Sequence, residues 1–218
     1  MVGGNAQPRQ GWAKFLKGRD VGGEILFSRE QLLGAVAIGG CGQQDTLILS
    51  RGPLSFYSKL QKRTFDLVIS FLLLVVLAIP LLVIALVIRA ESKGPALFRQ
   101  IRVGQGSRNF RIYKFRSMTV AEDGDRVVQA KANDQRVTRI GRLLRRTSVD
   151  EIPELLNIVK GDMSLVGPRP HALSHDQEFA SVVPEYNARF QTRPGLTGLA
   201  QVNGYRGEIV TRNDIEKR

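Results

Sequence analysis

The sequence predicts an α+β chain organised around one membrane-directed helical segment, and three observations carry that expectation. Leu67 to Ile88 is an uncharged run of 22 residues. Two stretches of strand character, Ala96–Val103 and Phe110–Ser117, flank Gly104-Gln105-Gly106-Ser107, which is a hairpin pattern. Beyond them, apolar residues recur at helical spacing through Arg136–Arg146 and again through Ile152–Val159.

At 218 residues the chain has room for one domain and an extra segment. Its net charge is +12, and hydrophobic residues make up 43%, too many for a disordered basic tail. The charge is concentrated: Lys93 to Arg146 holds fourteen Lys/Arg against Glu122, Asp123, Asp125 and Asp134. Such a field attracts anions, whether nucleic acid, an anionic membrane face or phosphorylated small molecules. The single cysteine, Cys41, excludes an intrachain disulfide framework and a cysteine-rich zinc site.

Residues 1–58 carry little signal and are expected to be a poorly packed leader. Their one apolar stretch, Leu32–Ile38, has Lys14, Lys17 and Arg19 upstream but lies late and lacks a small-residue cleavage site, so it does not read as a signal peptide. Residues 59–92 then form the membrane-directed segment with its basic flanks.

Helical throughout, Leu67–Ile88 would be roughly 33 Å long, against a hydrocarbon core of about 30 Å. Pro80 lies near its middle, removes a backbone donor and clashes with the carbonyl of Val76. Both flanks are basic, with Lys59, Lys62 and Arg63 before and Arg89, Lys93, Arg99 and Arg102 after, a bias that keeps both ends on the cytoplasmic side. A helix broken at Pro80 would enter one leaflet and return; a kinked single span is the alternative.

The Gly-x-Gly of the hairpin turn is no dinucleotide fingerprint, because no helix pattern follows it. After a charged loop, Ala121–Asp134, the Arg136–Arg146 helix sets Val137, Ile140, Leu143 and Leu144 among five arginines. That is the pattern of a helix lying on a membrane surface, or of a core-packed helix with a solvated basic face.

The stretch Thr147 to Lys160 concentrates the chemistry. Ser148 and Glu151 have the spacing of a capping box, and Ile152, Leu155, Leu156 and Val159 supply a helix face. Pro153 requires the helix to begin near Asp150, so Asp150 and Glu151 occupy the first turn, where free N–H groups favour negative charge. A capped helix with acidic first-turn residues is common. An acidic pair inside the most basic part of the chain is less so: a carboxylate kept ionised by cations can act as a nucleophile or hold a divalent metal.

Gly161 reads as a helix C-cap, and Gly167-Pro168-Arg169-Pro170 leaves the backbone little freedom. A guanidinium set between two prolines is suited to gripping a phosphate with two donors, or simply marks a rigid turn. Pro194 to Gly204 is a second Gly-rich stretch, with Thr197, Gln201 and Asn203. His171 and His175 are four apart without a third ligand at a zinc-site spacing.

From about Lys62 to Glu208 the chain resembles the bacterial sugar transferases, the monotopic phosphoglycosyl transferases. The matching pieces are Lys62-Arg63-Thr-Phe-Asp66, Gly94 to Gly104, Tyr113 to Met118, Arg145 to Pro153, Gly161 to Pro170, and Pro194 to Gly204. The resemblance implies a small monotopic membrane enzyme of the undecaprenyl-phosphate glucose or galactose phosphotransferase type. It would transfer a sugar 1-phosphate from a UDP-sugar to undecaprenyl phosphate, release UMP and open exopolysaccharide or glycoconjugate assembly. It also favours the re-entrant over the spanning topology and sets the active site on the cytoplasmic face of the bacterial inner membrane, among anionic lipids.

By the same resemblance Asp150 is the nucleophile that forms a phosphosugar–aspartyl intermediate, Glu151 its partner, and both hold Mg2+. Lys114, Arg145 and Arg169, with Arg116 as an addition, are assigned to phosphate binding. Residues 93–218 are the catalytic domain, expected to stop short of a C-terminal segment that relatives carry. An inactive truncated fragment kept as a membrane-associated interaction protein is therefore a second hypothesis. Nucleic-acid binding is disfavoured, since aromatics are only 7% and no recognition-helix motif occurs. Where many relatives have serine before the membrane proline, this chain has Ile79.

Overall fold

The computed structural model describes residues 23–26, 37–41, 44–50, 54–119, 134–184, 186–205 and 215. The chain divides into two units, Met1–Leu60 and Gln61–Arg218. The first, expected as a poorly packed leader, contains three strands: β1 (Gly23–Leu26), β2 (Ala37–Cys41) and β3 (Gln44–Ser50). They form an antiparallel sheet in the order β1-β3-β2. The strand signal in Gln44–Ser50 is a short apolar run, Leu47 to Leu49, with β-branched Ile48 inside it and β-branched Thr46 just before it.

Two helices carry the long apolar run, α1 (Phe56–Val76) and α2 (Ala78–Glu91), bent by 63° at Leu77. The break was expected at Pro80 and falls three residues earlier. Proline tolerates the first turn of a helix, where Pro80 sits, and what it forbids is a bond to the carbonyl of Val76. The ladder continues on either side, from Leu77 N–H to the Leu73 carbonyl at 2.9 Å and from Leu81 N–H to Leu77 at 2.8 Å.

Helix α1 inverts the usual burial pattern, while α2 turns Ile88 into a core and leaves most of its other apolar residues outward. On α1 the buried residues are Asp66 and Ser70. Phe65, Val68, Phe71, Leu72, Val75 and Val76 are exposed, as are Ile79, Leu82, Val83 and Leu86 beyond the bend. Contiguous exposed apolar surface on this scale marks contact with something other than water. No single helix among the described residues is long and apolar enough to cross a membrane; the bent pair together meets that test.

Asp66 and its neighbours fasten α1 to the rest of the second unit. Asp66 accepts hydrogen bonds from Ser164 Oγ at 2.8 Å and Leu165 N–H at 3.2 Å, and Lys62 donates to Ser164. Arg63 donates to the carbonyls of Ile158 and Val159 at 2.6 and 3.0 Å, satisfying two of the free acceptors at a helix end.

The expected hairpin is present as β4 (Leu97–Val103) and β5 (Asn109–Phe115), in antiparallel register from Leu97 opposite Phe115 to Val103 opposite Asn109. Gly106 takes φ 65° in the turn between them. The basic helix is α3 (Arg139–Thr147), shorter than expected at its start because Thr138 caps it, accepting from Gly141 N–H at 2.9 Å. Ile140 and Leu144 pack into a core with Ile88 and Phe115, while Leu143 stays exposed among the arginines. Glu91, at the end of α2, accepts from the N–H groups of Arg139 and Ile140 and so joins α2 to α3.

A 3-10 helix, Val149–Glu154, leads into α4 (Leu155–Lys160). The expected capping box does not form. Ser148 is left-handed (φ 59°, ψ 18°), ends α3 through its own N–H, and supplies no side-chain cap to the turn that follows. Gly161 closes α4 at φ 97°, as its position suggested. The short strands β6 (Ser164–Val166) and β7 (Gly195–Thr197) pair in parallel. Between them lie α5 (Leu173–Val182) and a second 3-10 helix, Tyr186–Gln191; α6 (Leu199–Val202) follows β7. The loop expected at Ala121–Asp134 lies outside the described residues except for Asp134. Beyond residue 205 the described residues include only Ile215, which is helical and packs with Phe179, Val183 and Tyr186.

Candidate active site

The site is built where β5 meets the first 3-10 helix. Phe110 and Ile112 lie on the face of β5 that packs against Leu155, Ile158 and Met163. Strand alternation sends Lys114 to that same face, one position beyond the apolar row. Asn157, fully buried, fixes α4 to the strand: it accepts from Tyr113 N–H at 3.0 Å and donates to the Arg111 carbonyl at 2.7 Å.

A 3-10 helix has three residues per turn, so side chains three apart stack above one another. Glu151 and Glu154 therefore both face Lys114, whose Nζ lies 3.0 Å from an oxygen of each. Pro153 suits this geometry, since it cannot donate the i→i−4 bond of an α-helix. From the opposite side Arg169 grips Glu151 with two nitrogens, Nη1 to Oε2 at 3.1 Å and Nη2 to Oε1.

These contacts divide the carboxylates. Burial alone would raise the Glu151 carboxyl, but the Arg169 hydrogen bonds and the Lys114 charge outweigh it and bring it down to about 2. Asp150 behaves oppositely. It is half-buried, and burial pushes its carboxyl upward against the pull of Lys114, with the adjacent Glu151 charge adding to the rise. Among the described residues no hydrogen bond or ion pair reaches it. Glu151 is the carboxylate that the cations hold ionised, and Asp150 is left open. Glu154, 1% exposed, is also raised by burial despite Lys114.

Lys114, Asp150, Glu151 and Arg169 thus come together. Arg145 is exposed at the end of α3, and its charge is felt at Asp150. Arg116 does not join them. Its guanidinium is spent on the carbonyls of Ser92 at 2.7 Å and Lys93 at 2.8 Å and on Ser92 Oγ at 2.9 Å, closing the end of α2. Expected among the phosphate-binding residues, Arg116 instead closes the end of α2, and among the described residues no hydrogen bond or ion pair joins it to the carboxylates. Glu154 was not singled out in the sequence; the available signal was its spacing from Glu151 across Pro153.

A half-buried, unengaged carboxylate beside one pinned by two cations is suited to chemistry on a polyanion, where fixed positive charge must meet negative charge as it develops. The donors also suit magnesium, which takes oxygen ligands and is commonly held by one or two carboxylates together with substrate phosphates and water.

The α+β fold and this cluster of carboxylates and cations agree with the family that the chain's relatives define. The Bacterial sugar transferase profile matches residues 57–217, and the chain belongs to that family. It is 57% identical over 159 residues to a UDP-glucose:undecaprenyl-phosphate glucose-1-phosphate transferase of Caulobacter vibrioides, covering 73% of this chain and 60% of that one. It is 48% identical over 194 residues to a protein of the same name from Klebsiella pneumoniae, covering 89% of this chain and 40% of the other. An undecaprenyl-phosphate glucose phosphotransferase of Komagataeibacter xylinus is 50% identical over 181 residues, 81% of this chain and 34% of its own. The chain spans between about a third and three-fifths of the length of these three relatives.

Proposed function

We propose that the chain transfers glucose 1-phosphate from UDP-glucose to undecaprenyl phosphate, releasing UMP, at the cytoplasmic face of the bacterial inner membrane. The observation that carries this reading is the division of labour between Asp150 and Glu151. The names of the relatives supply the donor and acceptor.

In the proposed first step an Asp150 oxygen attacks the β-phosphorus of the donor. A bond forms between that oxygen and phosphorus, the bond to the bridging oxygen breaks, and the electron pair leaves with UMP. In the second step an oxygen of the lipid phosphate attacks the same phosphorus, and Asp150 departs as a free carboxylate. Lys114 and Arg169 hold Glu151 ionised and in place beside the nucleophile, and with Arg145 they surround the reacting phosphates with positive charge. Magnesium, when bound, would be held by Asp150 and Glu151 and would screen the charge of the diphosphate.

Exposed apolar residues on α1 and α2, with Asp66 and Ser70 turned inward, support insertion of the bent pair into one leaflet. Arginines on α3 around exposed Leu143 support its lying at the headgroups among anionic lipids. This arrangement would bring the site to a lipid phosphate.

The test is UMP release from UDP-glucose, UDP-galactose and UDP-N-acetylgalactosamine by the purified chain in nanodiscs with undecaprenyl phosphate and magnesium. UDP-glucose should be the preferred donor, and Asp150→Asn should abolish turnover. Absence of donor-dependent UMP, or undiminished turnover by Asp150→Asn, would overturn the reading.

A further inference from the structure

We propose that Arg189 is a positioning residue that acts through Arg169 on Glu151, a role that rests on reading Asp150 and Glu151 as the transfer site. Arg189 belongs to the second 3-10 helix and touches neither carboxylate. One of its terminal nitrogens, Nη2, donates to the backbone carbonyl of Arg169. The other, Nη1, donates to Tyr186 Oη at 2.7 Å and to His171 Nδ1 at 2.9 Å. Its guanidinium also lies over the Tyr186 ring, 4.7 Å from the centroid.

The far side of this fork is anchored in a buried polar cluster. Tyr186 donates to Asp176 Oδ1, and Tyr186, His171 and Asp176 are 6%, 8% and 5% exposed. Their aromatic rings pack with Phe179. The fork therefore has a rigid base, and what it holds is a single backbone carbonyl.

That carbonyl matters because of its surroundings. Pro168 and Pro170 restrict the chain on both sides of Arg169. The Pro168 carbonyl accepts from Gly195 N–H at 2.9 Å, and the Pro170 carbonyl accepts from Arg102 at 3.4 Å. The Arg169 carbonyl lies between these two fixed points, and Arg189 fixes it as well. With its backbone set, the Arg169 side chain presents two nitrogens to Glu151 in a planar fork. A two-point grip of this kind tolerates little misalignment, so loosening its base should release Glu151 from the orientation that serves Asp150. A buried polar cluster whose members satisfy one another is rigid, because parting them leaves desolvated groups unpaired; this one ends on the backbone of Arg169.

Two measurements on the full chain in nanodiscs test this. In the UMP-release assay with UDP-glucose, Arg189→Met should lower kcat about tenfold or more while KM for UDP-glucose changes less than about threefold. Arg189→Lys, which keeps the charge but only one donor nitrogen in place of the two-nitrogen fork, should fall between. In an Arg169→Ala background the added Arg189→Met change should alter kcat by less than about twofold, because the residue it acts through is gone. Multiplying losses in the double variant, or an unchanged kcat in Arg189→Met, would overturn the proposal.

The second measurement needs no turnover. Thermal unfolding in EDTA of Arg189→Lys, Glu151→Gln and the pair should show shifts in Tm that do not add; additive shifts would overturn the proposal. If the wild-type chain makes no UMP from any donor, the transfer reading fails, while the unfolding cycle still decides whether Arg189 reaches Glu151.

Discussion

The Lys114 ammonium stands 3.0 Å from the Glu154 carboxylate, a group with 1% exposure that the fold has otherwise removed from water. The same ammonium lies 3.0 Å from Glu151, so one cation on β5 answers two acids of the adjoining 3-10 helix. Lys114→Met should leave Glu154 buried without its counter-charge and destabilise the second unit by about 3 kcal/mol. Adding Glu154→Leu should recover much of that stability without restoring UMP release. Denaturant unfolding of both variants, read beside turnover, checks the pair.

Glu151 makes stability sensitive to acid. Its carboxyl is held at about 2 in the folded chain, below the value of about 4.3 for an unperturbed glutamate. A depressed pKa means the unfolded state binds the proton more readily, so the contribution is complete above the unfolded value and is lost as pH falls toward 2. In EDTA, Glu151→Gln should show a shallower loss of Tm between pH 5 and pH 2, to about the extent that wild type loses more there. A parallel pair of profiles would contradict this.

Ser148 occupies left-handed backbone at the junction of α3 and the 3-10 helix. A β-branched side chain is penalised there by about 1–2 kcal/mol, whereas glycine adopts the conformation freely. Ser148→Val should lower Tm and UMP release together, and Ser148→Gly should retain most of both. Equal tolerance of the two would mean that the turn does not set the direction of Asp150.

Arg116 closes α2 and does not reach the carboxylates. Arg116→Gln should cost about 1–3 kcal/mol, as buried carbonyls lose their donors, and should speed amide hydrogen exchange at Ser92. KM for UDP-glucose should stay within about threefold in the fraction that folds. A raised KM with unchanged stability would return Arg116 to phosphate binding.

The proposed insertion of the bent pair into a single leaflet would place both of its ends on the cytoplasmic side. Cysteines at Ser55 and Lys93, both exposed, in a background with Cys41→Ser, should react with impermeant maleimide only after the cytoplasmic face is opened. Labelling of one position from the periplasmic side would establish a span.

Much of the second unit was legible because its signals are local. The hairpin follows from alternation and glycine, the α4 stop from Gly161, and the acidic first turn from Pro153. The misreadings arose where tertiary contacts decide. Ser148 has the spacing of a cap, but the chain reverses there and its backbone takes the left-handed region instead. Arg116 lies two residues from Lys114, yet the strand ends between them and their side chains serve different neighbours. Glu154 is not singled out by the sequence pattern; the three-residue period of the 3-10 helix sets it above Glu151. In the first unit β1 and β2 are short, and β3 alone carries a strand signal of its own.

The spacing of Lys114 and Arg116 gives β5 a second use. Two residues of extended chain span about 7 Å, and over that distance the backbone passes from the charge that aligns the carboxylates to the clamp on the last turn of α2. With α2 lodged in the bilayer as proposed, this short stretch would act as a depth gauge: it would set the height of Asp150 above the lipid surface, and a deeper or shallower seat for the helix would move the proposed nucleophile relative to the lipid phosphate.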